Sequence, residues 1–306
     1  MDAVPRLFIE RWGKICTTTA AKVHTLHVLV ESQKGKLYAA AQPVWDGQKT
    51  IPPTMFCLLA TSLHLESVDL KFITNFCIQS FSWSVRNLSE NWKEITTKRL
   101  QELVRFIKPT TERRDPVRHN FESSNLLDLA HGHMARELIS MRPPVDSILL
   151  LTQIEFGAEL HEFLESAGPL YSVTCVVSNV DQRATNAIID KFVPVNNGVF
   201  CWKHPLSRGQ LEELVLKCDM SNKKVSIRVR PEASPSSVED VFDFHKYYSK
   251  VKIERRPEGN MVKAVREGAT HTLSVYRDLP GEFEWRWDLT VFPGSVRLLY
   301  CNYDGK

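Results

Sequence analysis

The chain lacks any run of about 18 uninterrupted apolar residues, the length a helix needs to cross a bilayer. Its opening, MDAVPRLFIERW, carries charges inside the would-be apolar stretch and has no small-residue cleavage site, so neither secretion nor membrane insertion is expected. No C-x-x-C pair occurs among the seven cysteines, an odd and scattered set that points to a reducing intracellular compartment, cytoplasmic or nuclear. An excess of one charge is missing too. With 39 basic and 36 acidic residues the net charge is +3, short of the basic footprint that nucleic-acid binding requires. G-x-x-x-x-G-K-[ST], G-x-G-x-x-G and G-x-S-x-G are all absent, which removes the phosphate-cradling loops and the hydrolase elbow. No cofactor and no enzymatic activity are expected, with an enzyme of irregular α/β fold as the alternative.

What is present is a repeat. Five strand-like stretches, SILLL, SVTCVV, GVFCW, KVSIRV and KVKIE, recur about every 26 residues. Aligned on one position they give Ile148, Val173, Val199, Val225 and Val251, and two residues on Leu150, Cys175, Cys201, Ile227 and Ile253. All ten are apolar, as alternate positions of a strand with one buried face must be. Between the strands lie apolar pairs at helical spacing: Phe163 and Leu164, Ile188 and Ile189, Leu214 and Val215, Val241 and Phe242. Leu160, Leu211 and Val238 sit one turn earlier, and Ser207 and Ser236 are suitable N-caps. The pattern predicts an α/β fold: an irregular, leucine-rich-repeat-like strand-helix solenoid with a parallel sheet. A weaker first unit is NLLDL followed by HMARELISM. GEFEWRWDLTV alternates with Phe283, Trp285, Trp287, Leu289 and Val291 on one face and Glu282, Glu284, Arg286 and Asp288 on the other, and with SVRLLYC following the Pro293–Gly294 turn it predicts a C-terminal β-hairpin cap.

The first 108 residues read as a mixed α+β region, and the repeats with their cap as a second unit over 121–306, joined by the polar stretch PTTERRDPVRHN. Helices are expected over 5–16, around Val23, Leu26 and Val30, in MFCLLATSL, and in NWKEITTKRLQELVRFI with a buried stripe of Ile95, Leu100, Leu103, Val104 and Ile107. Strands are expected in KLYAAAQP, SVDLKFI and QSFSWSV.

The opener MDAVPRLFIE, the GKLY strand leading to WDGQ, and the strand-helix repeats resemble a nematode-expanded family related to F-box and F-box-associated repeat proteins. The likeness covers most of the chain, through short motifs. It implies that Val4, Pro5, Phe8 and Ile9 match the start of the F-box, which binds the adaptor of a cullin-type ubiquitin ligase, and that the repeats hold a protein substrate. An F-box continues helical for about 40 residues, whereas this chain passes into the strand at 36–44.

Chemistry-bearing pairs are few. His131 and His133 form an H-x-H pair with no third ligand at a recognisable spacing, so no metal site is expected. Cys201 and His204 are close in sequence, but Cys201 falls in the buried strand column, where a thiol is inert. The repeat alignment leaves Phe200, Trp202, Ser226, Arg228, Lys252 and Glu254 on one continuous strand surface, rich in the residue types of binding hot spots. Phe200 and Trp202 are either part of that surface or buried by a second layer. The resulting expectation is a non-enzymatic protein-binding scaffold, or a family member of purely structural role.

Overall fold

The computed structural model describes residues 22–31, 33–43, 61–81, 88–107, 115–130, 134–151, 156, 158–177, 179–233, 235, 237–256 and 259–289. Val4, Pro5, Phe8 and Ile9, the helix over 5–16, most of MFCLLATSL, the WDG turn, Ser236 and the His131/His133 pair lie outside these residues. No helix among the described residues is long and apolar enough to cross a membrane.

The fold is mixed α/β, dominated by one large sheet. Its strands are β1 (His24–Glu31), β2 (Lys36–Pro43), β3 (Ile73–Phe81), β4 (Lys93–Ile95), β5 (Leu126–Leu129), β6 (Ser147–Leu150), β7 (Ser172–Cys175), β8 (Gly198–Leu206), β9 (Val225–Pro231), β10 (Lys250–Arg256), β11 (Gly259–Val265), β12 (His271–Leu279) and β13 (Glu282–Leu289). They lie in the order β10-β11-β12-β13-β9-β8-β7-β6-β5-β3-β1-β2-β4. Antiparallel pairing occupies both ends of this order, and the run from β1 through β3 and β5 to β9 is parallel. The helices are α1 (Thr97–Phe106), α2 (Ala135–Ser140), α3 (Ala158–Ser166), α4 (Gln182–Lys191), α5 (Arg208–Ser221) and the single turn α6 (Phe244–Tyr247).

One unbroken apolar row crosses the sheet: Val28, Ile78, Leu127, Ile148, Val173, Phe200, Ile227, Trp285, Val275, Val262 and Ile253 occupy paired positions on successive strands. Except for Ile253 at the edge, these side chains share one core with the buried stripes of the helices, including Leu160, Phe163, Leu164, Ile188, Ile189, Leu211, Leu214 and Val215. The helical stripes read from periodicity are therefore those of α3, α4 and α5. Ser207 caps α5 in a capping box with Gln210, satisfying backbone donors that the helix start leaves free.

Polar side chains at the entry to the parallel strands stitch neighbouring units. Asn75 donates to the Ser124 carbonyl at 3.2 Å, Asn125 accepts from the Phe76 amide at 3.2 Å, and the Asn125 amide donates to Asp146 at 3.0 Å. Buried backbone groups in these turns would otherwise lack partners.

Several expectations are corrected. The segment carrying Leu26 and Val30 is strand β1, with Val23 just before it: Leu26, Val28 and Val30 alternate onto the core face, and β1 is paired on both sides, by β2 and β3. SVDLKFI forms two 3-10 turns before β3 begins. Ile95 belongs to β4, and the helix starts after it. Val238, Val241 and Phe242 are buried without a helix of their own. KVKIE is not the next parallel strand after β9: β13 holds that place, antiparallel, and β10 lies at the far end of a four-strand meander. Trp285 and Phe283 explain this exchange, since they place large rings on the row that Ile227 and Val229 extend, where Val251 and Ile253 would bury less area.

The largest correction is one of register. Val173 pairs with Phe200 and Cys175 with Trp202, so the repeat from β7 to β8 is 27 residues and not 26. A one-residue slip turns every side chain to the other face. Phe200 and Trp202 point into the helical layer, 0% and 1% exposed, while Val199 is half-buried on the opposite face. The extra residue is taken up at Asn197, in the left-handed region at φ 63°, and Gly198. A Cβ on Gly198 would lie 2.9 Å from the Val195 carbonyl oxygen and 3.0 Å from that of Tyr171, so the close turn admits no side chain there.

Candidate functional site

The face of the sheet opposite the helices is the candidate interaction surface. Two rows of paired positions run along it. One reads Asp128, Leu149, Thr174, Cys201, Arg228, Glu284, Tyr276, Met261 and Glu254; the other reads Ser147, Ser172, Val199, Ser226, Arg286, Ser274, Lys263 and Lys252. Leu149, Thr174, Val199, Ser226, Arg228, Tyr276 and Arg286 are all half-buried, and Val176 at the end of β7 is exposed. The surface thus passes from an apolar strip over β6–β8 to a charged patch over β8–β13.

Glu284 is the hub of that patch. Its carboxylate accepts from Arg286 Nε at 2.6 Å, from the Tyr276 hydroxyl at 2.6 Å, and from Ser226 Oγ and Arg228 at 3.3 Å each. Burial pushes its pKa up, but the hydrogen bonds from Arg286 and Tyr276 and the charges of Arg286 and Arg228 outweigh it, leaving the carboxyl below its ordinary value. Arg228 Nε also pairs with Asp278 at 3.0 Å, and the Arg286 guanidinium lies 5.4 Å from the Tyr276 ring centroid. One strand away, Lys203 reaches across to both oxygens of Glu282 at 2.6 and 2.7 Å. Lys203 stands where the β8–β9 register shifts, and the irregularity re-aims side chains at that point.

Of the six residues expected on this surface, Ser226, Arg228, Lys252 and Glu254 do share the face. Ser226 and Arg228 sit on β9, and Lys252 and Glu254 lie on β10, with β13, β12 and β11 between them. Phe200 and Trp202 are core, so a hot-spot role for them is withdrawn. Cys201 and His204 are not brought together: the His204 ring contacts the Val177 carbonyl and packs 5.6 Å from the Trp202 ring. Glu282, Glu284 and Arg286 were visible in sequence as the polar side of an alternating strand. That this strand lies against β9 depends on tertiary pairing.

Toward the N-terminal end of the same face the polar groups are buried. Asp128 accepts from Gln79 Nε2 at 2.9 Å, and burial pushes its carboxyl up to about 7. Beside it, burial and the Asp128 charge raise the Cys77 thiol, which leaves it protonated and unreactive. His119 meets Ser147 Oγ at 2.8 Å, and burial lowers both it and His27 to about 4. Asp128 opposes the histidines in its effect on stability. Between about pH 4 and 7 the unfolded chain has released the Asp128 proton and the folded chain has not, so this contribution falls as pH rises. The histidines' contribution is present above about pH 6.5 and is lost as pH falls toward 4. Asp128→Asn keeps the Gln79 bond and removes the ionisation penalty, for which a shift of this size sets a ceiling of about 4 kcal/mol. It should stabilise the protein by about 1–3 kcal/mol at pH 8 and much less at pH 5, as urea denaturation at the two pH values would read.

A narrow cavity of about 70 Å³ lies between α5 and the 241–247 segment, and an open groove of about 810 Å³ runs along α3 and α4 between His161, Glu165, Arg183 and Asp190. Among the described residues no group of three or more His, Cys, Asp or Glu side chains is placed to hold a metal ion. No protein-family model matches the chain, and no curated protein or solved structure does.

Proposed function

We propose that the chain is a non-enzymatic protein-binding scaffold whose strand-helix units from β5 to β9 form a solenoid-like platform and whose open sheet face is the receptor surface. The observation that carries this reading is the juxtaposition of partly buried Arg228, Arg286 and Tyr276 with the apolar strip of Leu149, Val176 and Val199 on one face. Arginine and tyrosine beside an apolar centre are the composition of interface hot spots. The resemblance at Val4, Pro5, Phe8 and Ile9 extends the proposal to a substrate receptor of a cullin-type ubiquitin ligase, with the N-terminal segment on the adaptor and the open face on the substrate.

Quantitative affinity capture tests both arms. Thr174→Arg/Val176→Arg places bulk and charge on the open face without touching the Glu284 hub, and should abolish retention of the substrate. Arg183→Glu, exposed on α4, should leave retention intact. Direct binding of purified adaptor should be lost with Pro5→Ala/Phe8→Ala. An identical set of captured proteins for all three chains would remove the open face as the receptor surface, and no adaptor binding by the unmodified chain would remove the ligase assignment.

A further inference from the structure

The two ends of the sheet are built differently. At one end β4 is three residues long and runs directly into α1, which blunts that edge. At the other, β10 is a seven-residue strand, about 24 Å of extended backbone at 3.4 Å per residue. Its inner side pairs with β11 along the whole length, and among the described residues no other backbone pairs with its outer side.

The side chains of β10 sort by face. On the open face Lys250 and Lys252 are exposed, Lys252 at 75%, and Lys263 of β11 stands directly behind Lys252. Glu254 is held between them, 3.2 Å from Lys252 and 3.0 Å from Lys263, so the strip keeps a positive surplus. On the helix side Val251 is half-buried against the core and Ile253, the last member of the apolar row, is 50% exposed.

We propose that β10 is a docking edge for an extended protein segment that alternates acidic and apolar residues and adds to the sheet as a fourteenth strand. The outward amides and carbonyls of β10, unpaired among the described residues, supply the main-chain bonds, Lys250 and Lys252 face the acidic residues, and Val251 and Ile253 continue their row onto the apolar ones. A second copy fits less well than an acidic segment: full antiparallel overlap of two β10 edges sets Lys250 opposite Arg256, a like-charge pair, and only Lys252 opposite an acid, Glu254. Nucleic acid does not fit the edge, since it offers neither the matching backbone bonds nor the apolar alternate positions. The docking edge is separate from the open-face receptor surface, which lies over β6–β9, β13 and β12, with β11 between the two.

Fluorescence anisotropy with a labelled peptide of alternating glutamate and valine, nine residues long, tests the proposal on the full chain. The peptide should bind, and the lysine–valine counterpart should not. Lys250→Glu/Lys252→Glu should weaken binding at least about tenfold, the direction expected when like charges are juxtaposed. Two further peptides, N-methylated at every glutamate or at every valine, remove alternate N–H donors; loss in at least one supports strand addition without altering the protein. Thr174→Arg/Val176→Arg should leave peptide binding unchanged, so failure here and failure of the receptor surface are separately visible. Equal binding of the lysine–valine peptide, indifference to both N-methylated forms, loss on the open-face variant, or a concentration-dependent dimer that excludes the peptide would each overturn the assignment.

Discussion

Replacing Trp202 with alanine should lower the unfolding free energy by about 3–5 kcal/mol, the range for deleting a large aromatic side chain from a packed core. The ring is 1% exposed and lies among Phe200, at 6.3 Å between centroids, and His204, at 5.6 Å. It belongs to the row that Cys175 and Val229 continue on either side, so its loss opens a cavity beneath α4 and α5 that the sheet cannot close by shifting one strand. Val199, of opposite parity and half-buried, should give less than about 1 kcal/mol on truncation to alanine, since little area and no helix contact is lost. The pair measures register directly: the 26-residue alignment requires Val199 to be the expensive position, and the 27-residue pairing requires Trp202. Trp202→Phe should fall between them, because it keeps a ring and removes an indole N–H that is buried with no acceptor among the described residues. Urea denaturation midpoints would rank the three, and a Val199 effect larger than that of Trp202 would restore the shorter repeat.

The sequence carried the strand-helix alternation clearly because helix stripes are long and redundant. Leu160, Phe163 and Leu164 in α3, or Leu211, Leu214 and Val215 in α5, are legible from period alone and are buried as expected. Strand parity was legible where one set of alternate residues is polar, as in GEFEWRWDL, whose Phe283, Trp285 and Trp287 are all core. It failed in GVFCW, where Val199 and Cys201 compete with Phe200 and Trp202 and the pattern of apolar residues cannot choose. The choice follows from a turn: Asn197 and Gly198 add a residue whose left-handed and close-packed conformation is visible only once Tyr171 and Val195 are placed around it. The candidate site suffered from a second, non-local uncertainty. Lys252 and Glu254 fit the repeat spacing as well as any strand, yet β13 takes the place beside β9, and no local pattern records which of two strands a distant edge will accept. Ser226 and Arg228 kept their face because β9 itself was read correctly; their partners Glu284, Tyr276 and Arg286 arrive from more than 45 residues away.

Glu284→Ala should cost about 2–4 kcal/mol, within reach of the effect of removing one partner from a buried charge cluster but reduced because the arginines keep some solvent. Glu284 is 4% exposed and answers four donors, so its removal leaves Arg286 and the Tyr276 hydroxyl without their 2.6 Å acceptor, while Arg228 retains Asp278. Glu284→Gln keeps the acceptor oxygen and the shape and should cost about half as much, with the difference reporting the charge. The pH dependence follows from the lowered carboxyl: its stabilisation is complete above the unfolded value of about 4.3 and is lost as pH falls through the lower folded value. The stability gap between the parent and the Glu284→Gln protein should therefore narrow below about pH 4. Lys252→Ala, at an exposed ion pair, should stay within about 0.5 kcal/mol at any pH and serves as the control. Because the hub fixes Arg228 and Arg286 in rows on the open face, Glu284→Gln should also weaken substrate retention beyond its effect on folding, measured well below the melting temperature. A Glu284→Gln protein that is as stable as the parent at pH 7 and retains substrate equally would show that the network neither holds β13 against β9 nor sets the receptor surface.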